Sequence, residues 1–156
     1  MRHREVFSLL TFYKFVDISE SEAQRLTEEQ WQFAHDLGLK GRVYIGTEGI
    51  SSTVTGNAGQ LWAYCAYLES TGYFKDIPDI DVKSTPVDGH QFDKMIVKYR
   101  DEIVALGVKV NAHEVEEFKK ELSPEDFKKI LDEGKMDDYL ILDMRNDYEY
   151  RLGHFK

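Results

Sequence analysis

The chain has 156 residues, 42% of them hydrophobic and 13% aromatic, with 20 Lys and Arg against 29 Asp and Glu, a net charge of −9. That is enough apolar material for a packed core, which excludes a disordered chain. The acid excess excludes a generally basic nucleic-acid binder while leaving room for a local basic face. One cysteine, Cys65, excludes an internal disulfide framework and a cysteine-built zinc site, and no apolar run approaches the ~20 residues of a membrane span. The basic start is broken by Lys14 and lacks a small-residue cleavage site, so no signal peptide is expected. The expectation is a soluble cytoplasmic protein with no membrane partner.

In chain order, the dense apolar run Phe7 to Val16 reads as a buried strand. Ser19 and Glu22 form a helix-start signature, followed by Ala23, Leu26, Gln30, Ala34 and Leu37 at helical spacing and by Gly38 as terminator. Gly41 to Gly46 and Ile50 to Thr55 read as strands joined by a hairpin turn at Thr47-Glu48-Gly49. Asn57 caps a second helix whose apolar side is read as Ala58, Leu61, Trp62, Cys65 and Leu68, ending near Gly72. Residues 77–87 read as an irregular strand broken by Pro78 and Pro86, and Lys94 to Ile103 as a clear strand. The order β-α-β-β-α-β over about residues 6–105 is the ferredoxin-like pattern, an α+β sandwich with an antiparallel sheet and both helices on one face.

Residues 108–122 read as a polar linker between a first domain, 1–107, and a second, 123–156. Ser123-Pro124-Glu125-Asp126 starts a helix with Phe127, Ile130 and Leu131 as its stripe and Gly134 as its stop. Tyr139 to Leu142 then reads as a strand of the buried parallel type. Residues 143–156 cannot supply its neighbours, so this second unit reads as the truncated start of an α/β domain.

The most informative element is Asp93-Lys-Met-Ile-Val-Lys-Tyr-Arg100. Alternation puts Lys94, Ile96, Lys98 and Arg100 on one face and Met95, Val97 and Tyr99 on the other. The second set is core. The cations of the first suit phosphate, or are solvated and salt-bridged to acidic neighbours. Arg42 and Tyr44 share a sheet face of their own, but their strand and this one are expected at opposite edges. Glu48 either positions a substrate or is a solvated turn residue, the latter being the commoner case. Cys65 is expected to be a core thiol. His3, His35, His90, His113 and His154 show no metal-ligand spacing, so no metal site and no cofactor is evident.

The run Leu140-Ile-Leu-Asp143-Met-Arg145-Asn-Asp-Tyr-Glu149-Tyr-Arg-Leu-Gly153-His154-Phe155 resembles the opening motif of rhodanese-type domains. Asp143, Arg145, Glu149 and His154 are its structural positions, expected to tie a strand end to a turn. Gly41-Arg-Val-Tyr-Ile-Gly-Thr-Glu48-Gly49-Ile50-Ser51 and Phe92-x-x-Met-x-Val-Lys98-Tyr-Arg100-x-Glu102, with Tyr13-Lys14-Phe15 and Arg145-Asn146-x-Tyr148-Glu149, resemble the oxygen-dependent tRNA uridine hydroxylases. These are bacterial rhodanese-domain proteins with an acylphosphatase-like N-terminal domain that convert the wobble uridine of certain tRNAs to 5-hydroxyuridine. The resemblance runs from about Phe12 to Phe155. It implies an oxidoreductase in tRNA modification, tRNA as partner, molecular oxygen as co-substrate, and a catalytic cysteine in the remainder of the rhodanese domain, so the chain alone is expected to be inactive. The substrate-binding candidates are Arg42, Tyr44, Glu48, Lys94, Lys98 and Arg100. Ser51 departs from the family, which carries Asn there.

The alternatives are a non-catalytic RNA- or protein-binding module and part of a rhodanese-type sulfurtransferase. Gly41 to Ile45 also resembles the second-strand region of acylphosphatases, but Ile45 stands where they carry a catalytic Asn, and Val16-Asp-Ile-Ser19 does not match their anion-binding loop. Ile45 cannot orient a water, which argues against hydrolysis.

Overall fold

The structure, a computed structural model, describes residues 6–74, 83–104, 107, 112, 122–133 and 139–154. It divides into two compact units, Met1–Phe118 and Lys119–Lys156. In the first, the elements run β1 (Phe7–Phe15), α1 (Glu20–Asp36), β2 (Lys40–Gly46), β3 (Gly49–Asn57), α2 (Ala58–Ser70), β4 (Lys83–Val87) and β5 (Met95–Tyr99). The sheet order is β4-β1-β3-β2-β5. All pairings are antiparallel except β2 with β5, which is parallel. The fold is the α+β ferredoxin-like sandwich expected, extended by one strand.

That extra strand corrects the sequence reading in two places. The fourth ferredoxin strand is the short edge strand Lys83–Val87, paired to β1; Pro86, which has no N–H to donate, is tolerated there because one side of an edge strand needs no donor. Residues 77–82 of the expected irregular strand, Pro78 included, lie outside the described residues. The clear strand after it is a fifth, shorter than expected, at the opposite edge of the sheet and immediately beside β2 rather than across the sheet from it.

Local chemistry explains the element ends. Ser19 Oγ accepts the Glu22 N–H at 3.3 Å, starting α1. Asn57 and Gln60 cap α2 reciprocally, each side chain accepting the other's backbone N–H at 2.9 and 2.8 Å. Gly49, at φ +138°, closes the β2–β3 hairpin; a Cβ there would stand 2.0 Å from the Lys14 carbonyl oxygen.

Leu10 and Phe12 of β1, Val43 and Ile45 of β2, and Ile50 and Val54 of β3 face Ala23, Leu26 and Ala34 of α1 and Leu61, Tyr64 and Leu68 of α2. Met95, Val97 and Tyr99 pack against this core from β5. Phe33 and Tyr67 stack at 4.3 Å and join the two helices. The core contains one polar chain: the buried Tyr64 hydroxyl donates to Gln30 Oε1 at 3.0 Å and lies 3.4 Å from Ser52 Oγ. Burial pushes the Tyr64 phenol well above its usual range, so it stays a neutral donor. On α2 the expected apolar side is only partly right. Leu61 and Leu68 are buried, but Tyr64 holds the place given to Trp62, which is 74% exposed. Cys65 is half-buried against the core, its thiol pushed up by that burial.

The second unit contains α3 (Pro124–Asp132), capped by Ser123 accepting from the Asp126 N–H, and α4 (Asp147–Leu152). Tyr139 to Leu142 is not a strand. Leu140 and Leu142 are exposed, because a strand of this type is buried only by neighbours paired on both sides, and none pairs with it among the described residues.

Candidate nucleic-acid interface

Helices cover one face of the sheet, and the other carries the candidate residues. Parallel pairing sets Arg42 opposite Ile96 and Tyr44 opposite Lys98. Antiparallel pairing sets Ser51 opposite both Tyr44 and Tyr13, and Thr53 opposite both Arg42 and Thr11. Two rows therefore cross the sheet: Tyr13–Ser51–Tyr44–Lys98 and Thr11–Thr53–Arg42–Ile96. Beyond the first, the Arg100 N–H donates to Ile45 O at 2.8 Å, and its guanidinium lies over the Tyr44 ring, 5.4 Å from the centroid. An exposed pair of this kind contributes about 0.5–1 kcal/mol.

The structure thus gathers Arg42, Tyr44, Lys98 and Arg100 into one patch, which the sequence reading had kept apart. Arg42, Lys94, Lys98 and Arg100 are exposed, and none takes part in the salt bridges found among the described residues. None of the five strands contains an Asp or Glu. Acid lies outside the strands: Asp88 and Asp93 are in the connection before β5, Asp101 and Glu102 follow Arg100, and α1 carries Glu20, Glu22, Glu28, Glu29 and Asp36 against Arg25.

One end of this face is covered by the connection from β4 to β5. His90 Nδ1 lies 3.0 Å from Thr55 Oγ1, its ring meets Phe7 edge-on at 4.8 Å, and Arg42 lies over the Phe92 ring at 5.8 Å. Thr55 is fully buried under it. This burial, with Lys40 nearby, lowers the His90 pKa below its ordinary value, opposed by the bond to Thr55. The open end holds Tyr13, Ser51, Tyr44, Lys98 and Arg100. Sequence reasoning missed Tyr13 and Ser51 as members of the patch. The signal was present in the alternation of β1 and β3, but only the register shows which rows they share.

Glu48 belongs to neither alternative given for it. It is 4% exposed, and its Oε1 accepts the Ile103 N–H at 2.6 Å. Its backbone oxygen accepts from Val16 and that of Thr47 from Ile18, so the hairpin turn ties down both the β1–α1 connection and the segment after β5. It is a buried anchor, not a solvated turn residue.

In the second unit, Arg145 donates to both carboxylate oxygens of Asp143, at 2.6–3.2 Å, and to Gly153 O at 2.8 Å. The Arg145 guanidinium holds the Asp143 carboxyl down to about 2. Glu149 accepts the Asn146 N–H at 3.1 Å, and His154 stacks on Tyr150 at 3.8 Å. The four motif positions thus make separate local contacts at the surface around α4. No cluster of His, Cys, Asp or Glu suited to a metal occurs among the described residues, and no described helix is long and apolar enough to cross a membrane.

Residues 7–103 match the family model described as UPF0176 acylphosphatase like domain. The chain belongs to that family. A "tRNA uridine(34) hydroxylase" of Oceanobacillus iheyensis is 35% identical over 156 residues, 100% of this chain and 46% of that protein. One from Staphylococcus carnosus is 37% identical over 150 residues, 96% of this chain and 45% of that protein. The chain therefore spans less than half the length of these curated relatives. Among solved structures, the dark-state BLUF protein BlrB superposes with a TM-score of 0.50 at 16% identity, over 82% of this chain and 94% of its own, a likeness of fold alone.

Proposed function

We propose that this UPF0176 domain is the N-terminal, tRNA-holding part of a bacterial tRNA-modifying oxidoreductase that hydroxylates the wobble uridine to 5-hydroxyuridine. Molecular oxygen is the co-substrate, the setting is the cytoplasm, and a rhodanese-like domain beginning near residue 123 continues the protein and carries the reacting cysteine. Within the chain, residues 1–107 form the acylphosphatase-like domain and 108–122 the linker. The family membership and the printed names of the relatives support the activity. The observation that carries the role of this domain is the sheet face, built from strands that contain no acid, on which Arg42, Lys98 and Arg100 stand together around Tyr44. Cations without carboxylate partners on their own sheet attract phosphate, whereas the same residues locked in ion pairs would have little to offer it.

The test is tRNA binding by the chain across a salt series, compared with Lys98→Ala/Arg100→Ala. Each lost phosphate contact removes about 0.7–0.9 units of log–log salt slope, so the double variant is expected to bind more weakly with a slope shallower by about 1.5. Both side chains are exposed, and stability should fall by no more than the about 0.5–1 kcal/mol of the lost Arg100–Tyr44 contact. A double variant that binds tRNA like the parent, with the same slope, contradicts the proposal.

A further inference from the structure

We propose that the open end of the sheet face holds a single unpaired nucleobase, with Tyr13 as its stacking platform and Ser51 as its floor, while Lys98 and Arg100 hold the adjoining phosphates. This inference rests on the RNA-binding reading above and adds what kind of RNA the face takes and which residue reads it.

The register carries the argument. Tyr13 and Tyr44 flank Ser51 on either side, one strand spacing each, so the two rings rise about 10 Å apart over a small residue. The neighbouring positions on the same two central strands, Gly46 and Gly49, are closed over by backbone: the Arg100 and Lys14 carbonyl oxygens stand 2.2 and 2.0 Å from where a Cβ would lie. The open space is therefore the one over Ser51, between Tyr13 on one side and Tyr44 with Arg100 on the other. Its walls differ. Tyr44 is already partnered by the Arg100 guanidinium. Tyr13 is 57% exposed and touches Phe15 only edge-on, at 5.9 Å and 75°, which leaves a ring face for a ligand. Among the described residues the Ser51 hydroxyl makes no hydrogen bond, so it can donate to or accept from a base edge.

Arg42 lies on β2, Lys98 on β5 and Arg100 directly after it, while the β1 wall beside Ser51 presents rings; on the far side of β1, Lys83 of β4 is set opposite Thr11, in the other row. A strand whose phosphates follow the cations therefore points its bases across Tyr44 toward Ser51 and Tyr13. A duplex cannot use this arrangement, because its bases are stacked on each other and offer no free ring face. An unpaired base can, since stacking on an aromatic ring tolerates any sequence.

The experiment measures binding of a short labelled oligouridylate and of an RNA duplex of equal length to the chain and to Tyr13→Ala, Tyr13→Phe and Lys98→Ala/Arg100→Ala, each over a salt series. The parent is expected to prefer the single strand. Tyr13→Ala should lose about 5- to 150-fold in affinity for it with an unchanged salt slope, and Tyr13→Phe should retain binding. Equal binding by Tyr13→Ala, or a parent that binds tRNA but prefers the duplex, overturns the base site while leaving the phosphate-binding face standing. A Lys98→Ala/Arg100→Ala variant with unaltered binding and slope overturns the RNA-binding reading itself.

Discussion

Glu48 shows how one residue couples two parts of the chain far apart in sequence. Its carboxylate is buried in the turn between β2 and β3, yet its partner is the Ile103 N–H, beyond β5. A buried acid is stable only when bonded, and its removal leaves a buried backbone donor without an acceptor. Glu48→Ala is expected to destabilise the domain by about 2–3 kcal/mol in urea unfolding, and Glu48→Gln, which keeps an acceptor oxygen, by less. Equal stability of Glu48→Ala and the parent would remove the anchor role. The sequence could not show this. Glu in a tight turn is normally solvated, and nothing local reveals that a segment 55 residues later returns to cover it.

Among the elements, β5 decides the site. Its own alternation was readable: Met95, Val97 and Tyr99 pack inward and Lys94, Lys98 and Arg100 outward, as their spacing requires. Its position was not, because parallel pairing joins strands with no short connection between them, and the four-strand pattern is already complete without it. The caps Ser19, Asn57 and Ser123 were legible because capping is a local contact. Tyr139 to Leu142 was misread because an apolar run specifies a buried strand only when partners exist to bury it. The approach of β5 to β2 depends on Gly46, where a Cβ would meet the Arg100 carbonyl oxygen at 2.2 Å. Gly46→Ala should cost about 1–3 kcal/mol in thermal unfolding and, by moving Arg100 off Tyr44, weaken RNA binding as well. A variant with the parent's melting temperature and RNA affinity would show that β5 is not held by this contact.

For the first unit taken whole, charge is divided between two layers. The sheet has no acid and the outer surface of α1 is rich in it, so the net charge of −9 does not describe the open face. A helix is ~10–12 Å across, more than the ~8 Å screening length at physiological salt, so the acids beyond it are largely screened from a ligand on the sheet. Composition alone therefore argued against RNA where the arrangement of charge argues for it. The central claim is that RNA lies on this sheet face, and the most direct measurement is a backbone amide chemical-shift map of the chain titrated with tRNA. The account predicts perturbations concentrated at Tyr13, Tyr44, Ser51, Thr53, Lys98 and Arg100, fading with added salt. Perturbations centred on the outer residues of the helices, such as Glu28, Trp31 and Trp62, with the sheet residues unmoved, would contradict it.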